Sequence, residues 1–349
     1  MRRVLITGGA GFLGSHLATS LRESGVAVRI FDRLEPPGWA RAPGVEYAQG
    51  DIRDSVALAP ALSRVDIVVH AAFASARADP EVIRSVNIGG TMEVCRQARE
   101  QGATRLVLIS STIAGAAPRA HPVFRQGFRR AGLNSLDSYR ESRAEAERIV
   151  LSSESPKLQP AVVRPKTFIG PGRLSAFTIV FDWIRRGRPV LLLGSGRCRY
   201  QLLEIGDMAQ GIRLLCESQA GGIFFFGAEE FGTLREDLQA LVEYAGSLSR
   251  LRAIPSGLAR AGLRAMELAG FVPPSELHYM SASDRDSIVD ISRAQRELGW
   301  RPRFSNSQAL RRAYDWYKES AASPGGAPSI HPLPASHRML KWLLETVLR

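Results

Sequence analysis

Lysine is nearly missing from this chain. Of its 349 residues, 46 are lysine or arginine, yet only Lys157, Lys166, Lys318 and Lys341 are lysines, which leaves 42 arginines (46 − 4). The arginines are spread along the chain rather than massed, and no nucleic-acid-binding motif accompanies them. The formal net charge of +12 therefore does not point to a nucleic-acid partner. In such a chain, a lysine at a site-like position is informative. Cysteine is scarce as well. Cys95, Cys198 and Cys216 are odd in number and lack metal-ligand spacing, which excludes a disulfide framework and a cysteine metal centre. They read as reduced thiols of a cytoplasmic protein, and no metal site is expected. No run of about 18 apolar residues occurs, so no membrane-spanning helix is expected. An apolar strand begins near residue 3, so neither a signal nor a transit peptide is expected.

Glycine, by contrast, is concentrated where it matters. Thr7-Gly8-Gly9-Ala10-Gly11-Phe12-Leu13-Gly14 follows the apolar run Val4-Leu5-Ile6 and precedes a helical stripe of Leu13, Leu17 and Leu21. Strand, Gly-x-x-Gly-x-x-Gly and helix make a phosphate cradle. Gly8, Gly11 and Gly14 let the backbone turn tightly, and the N–H groups around Phe12 and Leu13 open the helix toward an anion. A second run, 26–31, ends in Asp32, which lies 18 residues beyond Gly14 (32 − 14). A carboxylate about 20 residues beyond such a turn grips the ribose diol of a dinucleotide. Arg33 beside it also admits a 2′-phosphate, so NAD is expected and NADP remains open.

Strands and helices alternate through the first half. Strands are expected near 45–49, 66–70, 106–109 and 159–164, with a long amphipathic helix from Pro80 to Gly102 and another over 135–152. Residues 113–136 read as a long loop. In an open parallel sheet ligands sit at the C-terminal strand ends, which brings Asp32, Asp51, Ala71-Ala72 and Ser110-Ser111-Thr112 to one edge. The fold class is α/β: a doubly wound parallel Rossmann sheet (1–170) with a smaller C-terminal α/β substrate lobe (171–320) that returns strands to the core. Residues 321–336 read as a flexible linker. In 337–349, Leu340, Leu343, Leu344 and Val347 share a helical face opposite Arg338, Lys341, Glu345 and Arg349. That face suits its own domain, a partner subunit, or a peripheral membrane contact.

Tyr139 and Arg143 stand four apart on the expected helix and so share a face. A cation beside a phenol stabilises the phenolate and prepares it for acid–base work. The motifs Thr7–Gly14, Asp32, Asp51-Ile52, His70-Ala71-Ala72, Asn87-x-x-Gly90-Thr91, Ser110-Ser111-Thr112, Tyr139-x-x-x-Arg143, Arg164-Pro165 and the segment Ala294–Trp300 occur in one order. In this the chain resembles the extended short-chain dehydrogenase/reductases, in particular the NAD-dependent epimerase/dehydratase family, over about residues 2–320. The resemblance implies that Tyr139 is the catalytic acid/base and that Thr112, with Ser111 beside it, orients the reacting carbon–oxygen bond. It implies cofactor contacts at Asp51, Ile52, Ala71, Ala72, Asn87, Ser110, Tyr139, Arg143 and Pro165, and a homodimer by family habit.

Two departures from the family stand out. The family has lysine where this chain has Arg143, and an arginine's planar fork cannot reproduce an ammonium's geometry. The residue after Arg164-Pro165 is Lys166, where the family has an apolar or small residue. Lys166 is read either as an ammonium in the substrate pocket, with Thr167 next to it, or as a strand-end lysine directed at solvent. For a nucleotide diphosphate, Arg199 lies near one family arginine position but out of register, and only Arg285 serves the other. The expected function is hydride transfer at a carbinol or carbonyl carbon of a small-molecule substrate. That substrate is a nucleotide sugar (epimerase/dehydratase) or a lipid, sterol or secondary-metabolite ketone (reductase/dehydrogenase), unless Arg143 marks a cofactor-binding sensor or scaffold.

Overall fold

Strands that are apolar on both faces need cover on both faces, and that requirement organises the first unit. Its sheet is built from β1 (Arg3–Thr7), β2 (Ala27–Asp32), β3 (Glu46–Gln49), β4 (Ile67–His70), β5 (Arg105–Ile109), β6 (Gln159–Pro165) and β10 (Gly222–Phe226). All seven run parallel in the order β10-β6-β5-β4-β1-β2-β3. This computed structural model describes residues 2–35, 43–116, 135–173, 176–258, 261 and 286–322. Among them no helix is long and apolar enough to cross a membrane, and no cluster of His, Cys, Asp or Glu could hold a metal ion.

One sheet face is covered by α2 (Ser55–Leu62), α4 (Thr91–Glu100) and α5 (Ser135–Leu151). Leu58, Val94, Ala146 and Val150 from these helices pack on Leu5, Val68, Leu106 and Val162. On the other side α1 (Phe12–Glu23) packs beside α7 (Ile205–Glu217). The sheet is thus doubly wound, with its order reversing between β1 and β4, where ligands of such sheets bind. α9 (Ser292–Leu298) also belongs to this unit and stops at Gly299, whose φ of +62° suits glycine. Trp300 then fills the core, stacking on Phe226 and donating from Nε1 to the Asp207 carbonyl over 3.0 Å.

The expected single helix from Pro80 is not uniform. α3 (Pro80–Arg84), capped by Asp79, passes into a π-helical stretch at Ser85–Gly90 before α4. Within this stretch Gly90 packs closely on Ile52, where a Cβ would come within 2.4 Å of Cδ1, and the Asn87 side chain is fully buried.

The second compact unit comprises Thr167–Glu204, Gly227–Val289 and Pro302–Arg349. It holds two short parallel pairs, β7 (Thr167–Ile169) with β9 (Leu202–Glu204) and β8 (Val190–Leu193) with β11 (Leu251–Ile254). α6 (Ala176–Arg185), α8 (Leu234–Tyr244) and α10 (Asn306–Ala322) enclose a core that includes Ile179, Phe181, Trp183, Leu241 and Tyr314. A capping box between Thr233 and Glu236 starts α8. The segment 337–349 and most of 321–336 lie outside the described residues, as does Arg285.

Candidate active site

The glycine turn leaves β1 at Thr7 and enters α1 with no side chain capping the helix at Gly11. Gly8 holds φ +68°, and a Cβ there would meet the Ala72 backbone at 2.7 Å. At Gly14 a Cβ would lie 2.3 Å from the Gly9 carbonyl oxygen, so the first turn of α1 rests directly on the loop. The cradle thus exists only because side chains are missing from it. Phe12 and Leu13 point their side chains into the core, leaving backbone at the cradle. Asp32 closes the far side: Oδ2 accepts from Ala10 N at 3.1 Å and Oδ1 from Leu34 N at 3.1 Å. Arg33 is exposed. Asp51 receives Arg53 through two hydrogen bonds of 2.9 and 2.7 Å, while Arg53 also donates to Ser85 Oγ. Those bonds hold the Asp51 carboxyl below its ordinary pKa, with a smaller contribution from Arg33. A glycine cradle, an uncapped helix start and a carboxylate beside them fit an adenine dinucleotide.

The second cluster gathers around α5. Arg143 Nη2 donates to Tyr139 Oη over 2.7 Å, and Nη1 donates to the Ile109 carbonyl, the last residue of β5, over 2.8 Å. The guanidinium lies 3.6 Å from the centroid of the Phe73 ring and 4.9 Å from that of Tyr139. Its Nε is buried and has no hydrogen-bond partner among the described residues. Under this group sits His70, fully buried, with Nδ1 at 2.7 Å from Thr7 Oγ1 and Nε2 at 3.0 Å from Thr91 Oγ1. Thr91 spends its proton on the Asn87 carbonyl, so Nε2–H donates to Thr91 and Nδ1 accepts from Thr7. Burial first, then the Arg143 charge, push the His70 pKa down to about 3, so the ring is neutral.

Two residues expected at the cofactor have side chains engaged internally. Asn87 accepts from Ala74 N at 2.7 Å and donates to Ser142 Oγ at 2.9 Å. Ser110 donates to Glu147, a buried carboxylate that also takes three hydrogen bonds from Arg164. Arg164 belongs to a motif named in the sequence, whereas Glu147 does not, although it continues the four-residue stripe Tyr139, Arg143, Glu147 along α5.

Ser111 accepts from Ile113 N, and Thr112, half-buried, opens a short 3-10 turn rather than ending a strand. Lys166 follows buried Pro165 and is 5% exposed, so it is not directed at solvent. Its N–H donates to the Phe226 carbonyl, extending the β6–β10 ladder, and burial lowers its ammonium to a pKa of about 8. Thr167 and Arg199 belong to the second unit. Thr167 shares a hydrogen bond of 2.7 Å with Tyr200, whereas Arg199 lies over the Phe231 ring and its N–H donates to Asp286.

Fold and site together define a nucleotide-binding α/β protein with a tyrosine–arginine pair at its strand ends. Residues 4–226 match the model of the NAD dependent epimerase/dehydratase family, and the chain belongs to that family. The uncharacterised protein y4nG of Sinorhizobium fredii is 34% identical over 352 residues, which cover 100% of this chain and 87% of the relative. A 3 beta-hydroxysteroid dehydrogenase/Delta 5-->4-isomerase of Mycobacterium tuberculosis is 28% identical over 90% of each chain. A 4-hydroxy-2-methyl-3-oxo-4-farnesyl-3,4-dihydroquinoline-1-oxide ketoreductase of Stigmatella aurantiaca is also 28% identical, over 88% of this chain and 94% of its own. Among solved structures, the Thermus thermophilus UDP-glucose 4-epimerase in complex with NAD superposes with a TM-score of 0.68. It covers 90% of this chain and 99% of that one at 24% identity, which is a likeness of fold.

Proposed function

We propose that this protein is an NAD-dependent dehydrogenase or reductase acting on a secondary alcohol or ketone of a lipophilic ring substrate, a sterol or a secondary metabolite. The hydrogen bond of 2.7 Å between Arg143 and Tyr139 carries the reading. A permanent cation donating to the phenol oxygen stabilises the phenolate, so Tyr139 can take a proton from an alcohol or return one to a carbonyl oxygen. Thr112 offers its hydroxyl to the same substrate oxygen. The glycine turn and α1 would hold the pyrophosphate, and Asp32 the adenosine ribose, which favours NAD over NADP. Arg143, with two of its five N–H groups engaged at Tyr139 and Ile109, has donors left for the nicotinamide ribose. Bound there, the nicotinamide would supply or accept the hydride.

The substrate class is supported by the named relatives, a steroid dehydrogenase and a ketoreductase. Lys166 is assigned to the substrate side as a buried ammonium. Steady-state assays with NADH and NADPH against a panel of steroid and quinoline ketones test the reading. Net cofactor oxidation is expected. Turnover of a nucleotide sugar with no net change in cofactor would replace it with the epimerase reading.

A further inference from the structure

An arginine in the place of the family's lysine sets a geometric demand. An ammonium presents three donors on a rotating head and works at many angles, whereas a guanidinium donates only in its own plane. For Arg143 to meet Tyr139 Oη at one nitrogen and the Ile109 carbonyl at another, that plane has to be fixed. The flat surface against it is Phe73, 3.6 Å from its ring centroid to the guanidinium carbon.

We infer that Phe73 is a positioning residue for Arg143, the plate against which the guanidinium is held so that its edge reaches Tyr139. The placement of Phe73 is itself tied to the tyrosine's helix. Asn87, in the π-helical stretch, accepts from the N–H of Ala74, the residue after Phe73, and donates to Ser142. Ser142 in turn donates to the Tyr139 carbonyl over 2.9 Å. One buried amide therefore sets both the loop that carries Phe73 and the helical turn that carries Tyr139. On the inner side the His70 ring lies 5.2 Å from Phe73 and is neutral, so it sets no positive charge against the guanidinium. Phe73 touches Arg143 and acts through it.

The role rests on the proposed function and is conditional on arginine, which makes it separable from simple packing. The test is a cycle of four proteins: wild type, Phe73→Leu, Arg143→Lys and the double variant. NADH affinity is read by fluorescence titration and folding by melting temperature. Phe73→Leu is expected to weaken NADH binding by about 3- to 30-fold, the range of a cation–aromatic contact. In the Arg143→Lys background the same change is expected to leave NADH affinity unaltered, and Phe73→Tyr is expected to restore it with arginine present. Equal loss in both backgrounds, or no loss in either, overturns the inference. If the wild type binds neither NADH nor NADPH, the functional reading fails instead. The melting cycle then decides Phe73 by itself: coupling to Arg143 that vanishes with lysine upholds the plate, and additive shifts refute it.

Discussion

Arg143 Nη2 donates to Tyr139 Oη over 2.7 Å, one turn away along the same helix, while its Nη1 is anchored on the end of β5. The phenol is thereby fixed relative to the sheet edge and held against a cation. Tyr139→Phe removes only the oxygen and leaves the anchor to Ile109. It is expected to lower kcat by roughly 10²- to 10⁴-fold while NADH affinity stays near wild type. Stopped-flow or steady-state rates with the best ketone substrate check this.

Gly8 and Gly25 offer a matched comparison. Both have positive φ, +68° and +77°, yet a Cβ at Gly25 meets nothing within 4 Å among the described residues, whereas one at Gly8 meets the Ala72 backbone at 2.7 Å. Gly25→Ala is expected to cost about 1 kcal/mol of strain. Gly8→Ala carries the same strain and must also push β1 away from the loop after β4. Its melting temperature is expected to fall further, with loss of cofactor binding. Thermal melts of the two variants with and without NADH measure the difference.

The glycine turn, Asp32 and the four-residue spacing of Tyr139 and Arg143 were legible because each is local: a turn needing absent side chains, a strand end, a helical period. The strands buried on both faces, β1, β4 and β5, read directly as apolar runs. Phe73 was not legible. Nothing in its neighbourhood distinguishes it from other phenylalanines, and its partner lies 70 residues away (143 − 73) in α5. The π-helical stretch was hidden for a related reason, since its residues Asn87 and Gly90 meet Ser142 and Ile52, which are remote in sequence. β7, β9 and β11 are three or four residues long, too short for a periodicity to register. The hydrogen bond from the Ser110 hydroxyl to Glu147 was hidden as well, because its partner lies 37 residues on in α5.

Glu147 is buried and holds Arg164 on one side and Ser110 on the other. Removing one partner of such a pair strands the other's charge, which costs about 3–5 kcal/mol when burial is complete. Arg164 is 17% exposed at its side chain, so Glu147→Gln is expected near the lower end. Urea unfolding gives the number, and a loss below about 1 kcal/mol, the worth of a surface pair, would show that the pair is not structural.

Lys166 is buried, and its pKa is lowered from 10.5 to about 8 by desolvation. Between those values the unfolded chain binds more protons than the folded one, so this group makes stability rise as pH rises through that window. Lys166→Met removes the cost of burying the cation. It is expected to be more stable than wild type at pH 7, with the gap narrowing as pH climbs from about 8 toward 10.5. Melting temperatures of both proteins across that range check the sign. A wider gap at high pH would contradict it.

The cradle and the tyrosine–arginine pair are read together as the site of one nicotinamide cofactor. The direct measurement is on freshly purified protein: denature it, quantify any released nicotinamide, then titrate the cofactor-free protein with NADH and NADPH. Saturable binding with NADH preferred over NADPH, weakened by Arg143→Ala, is the predicted result. Protein that releases no cofactor and binds neither would contradict the account.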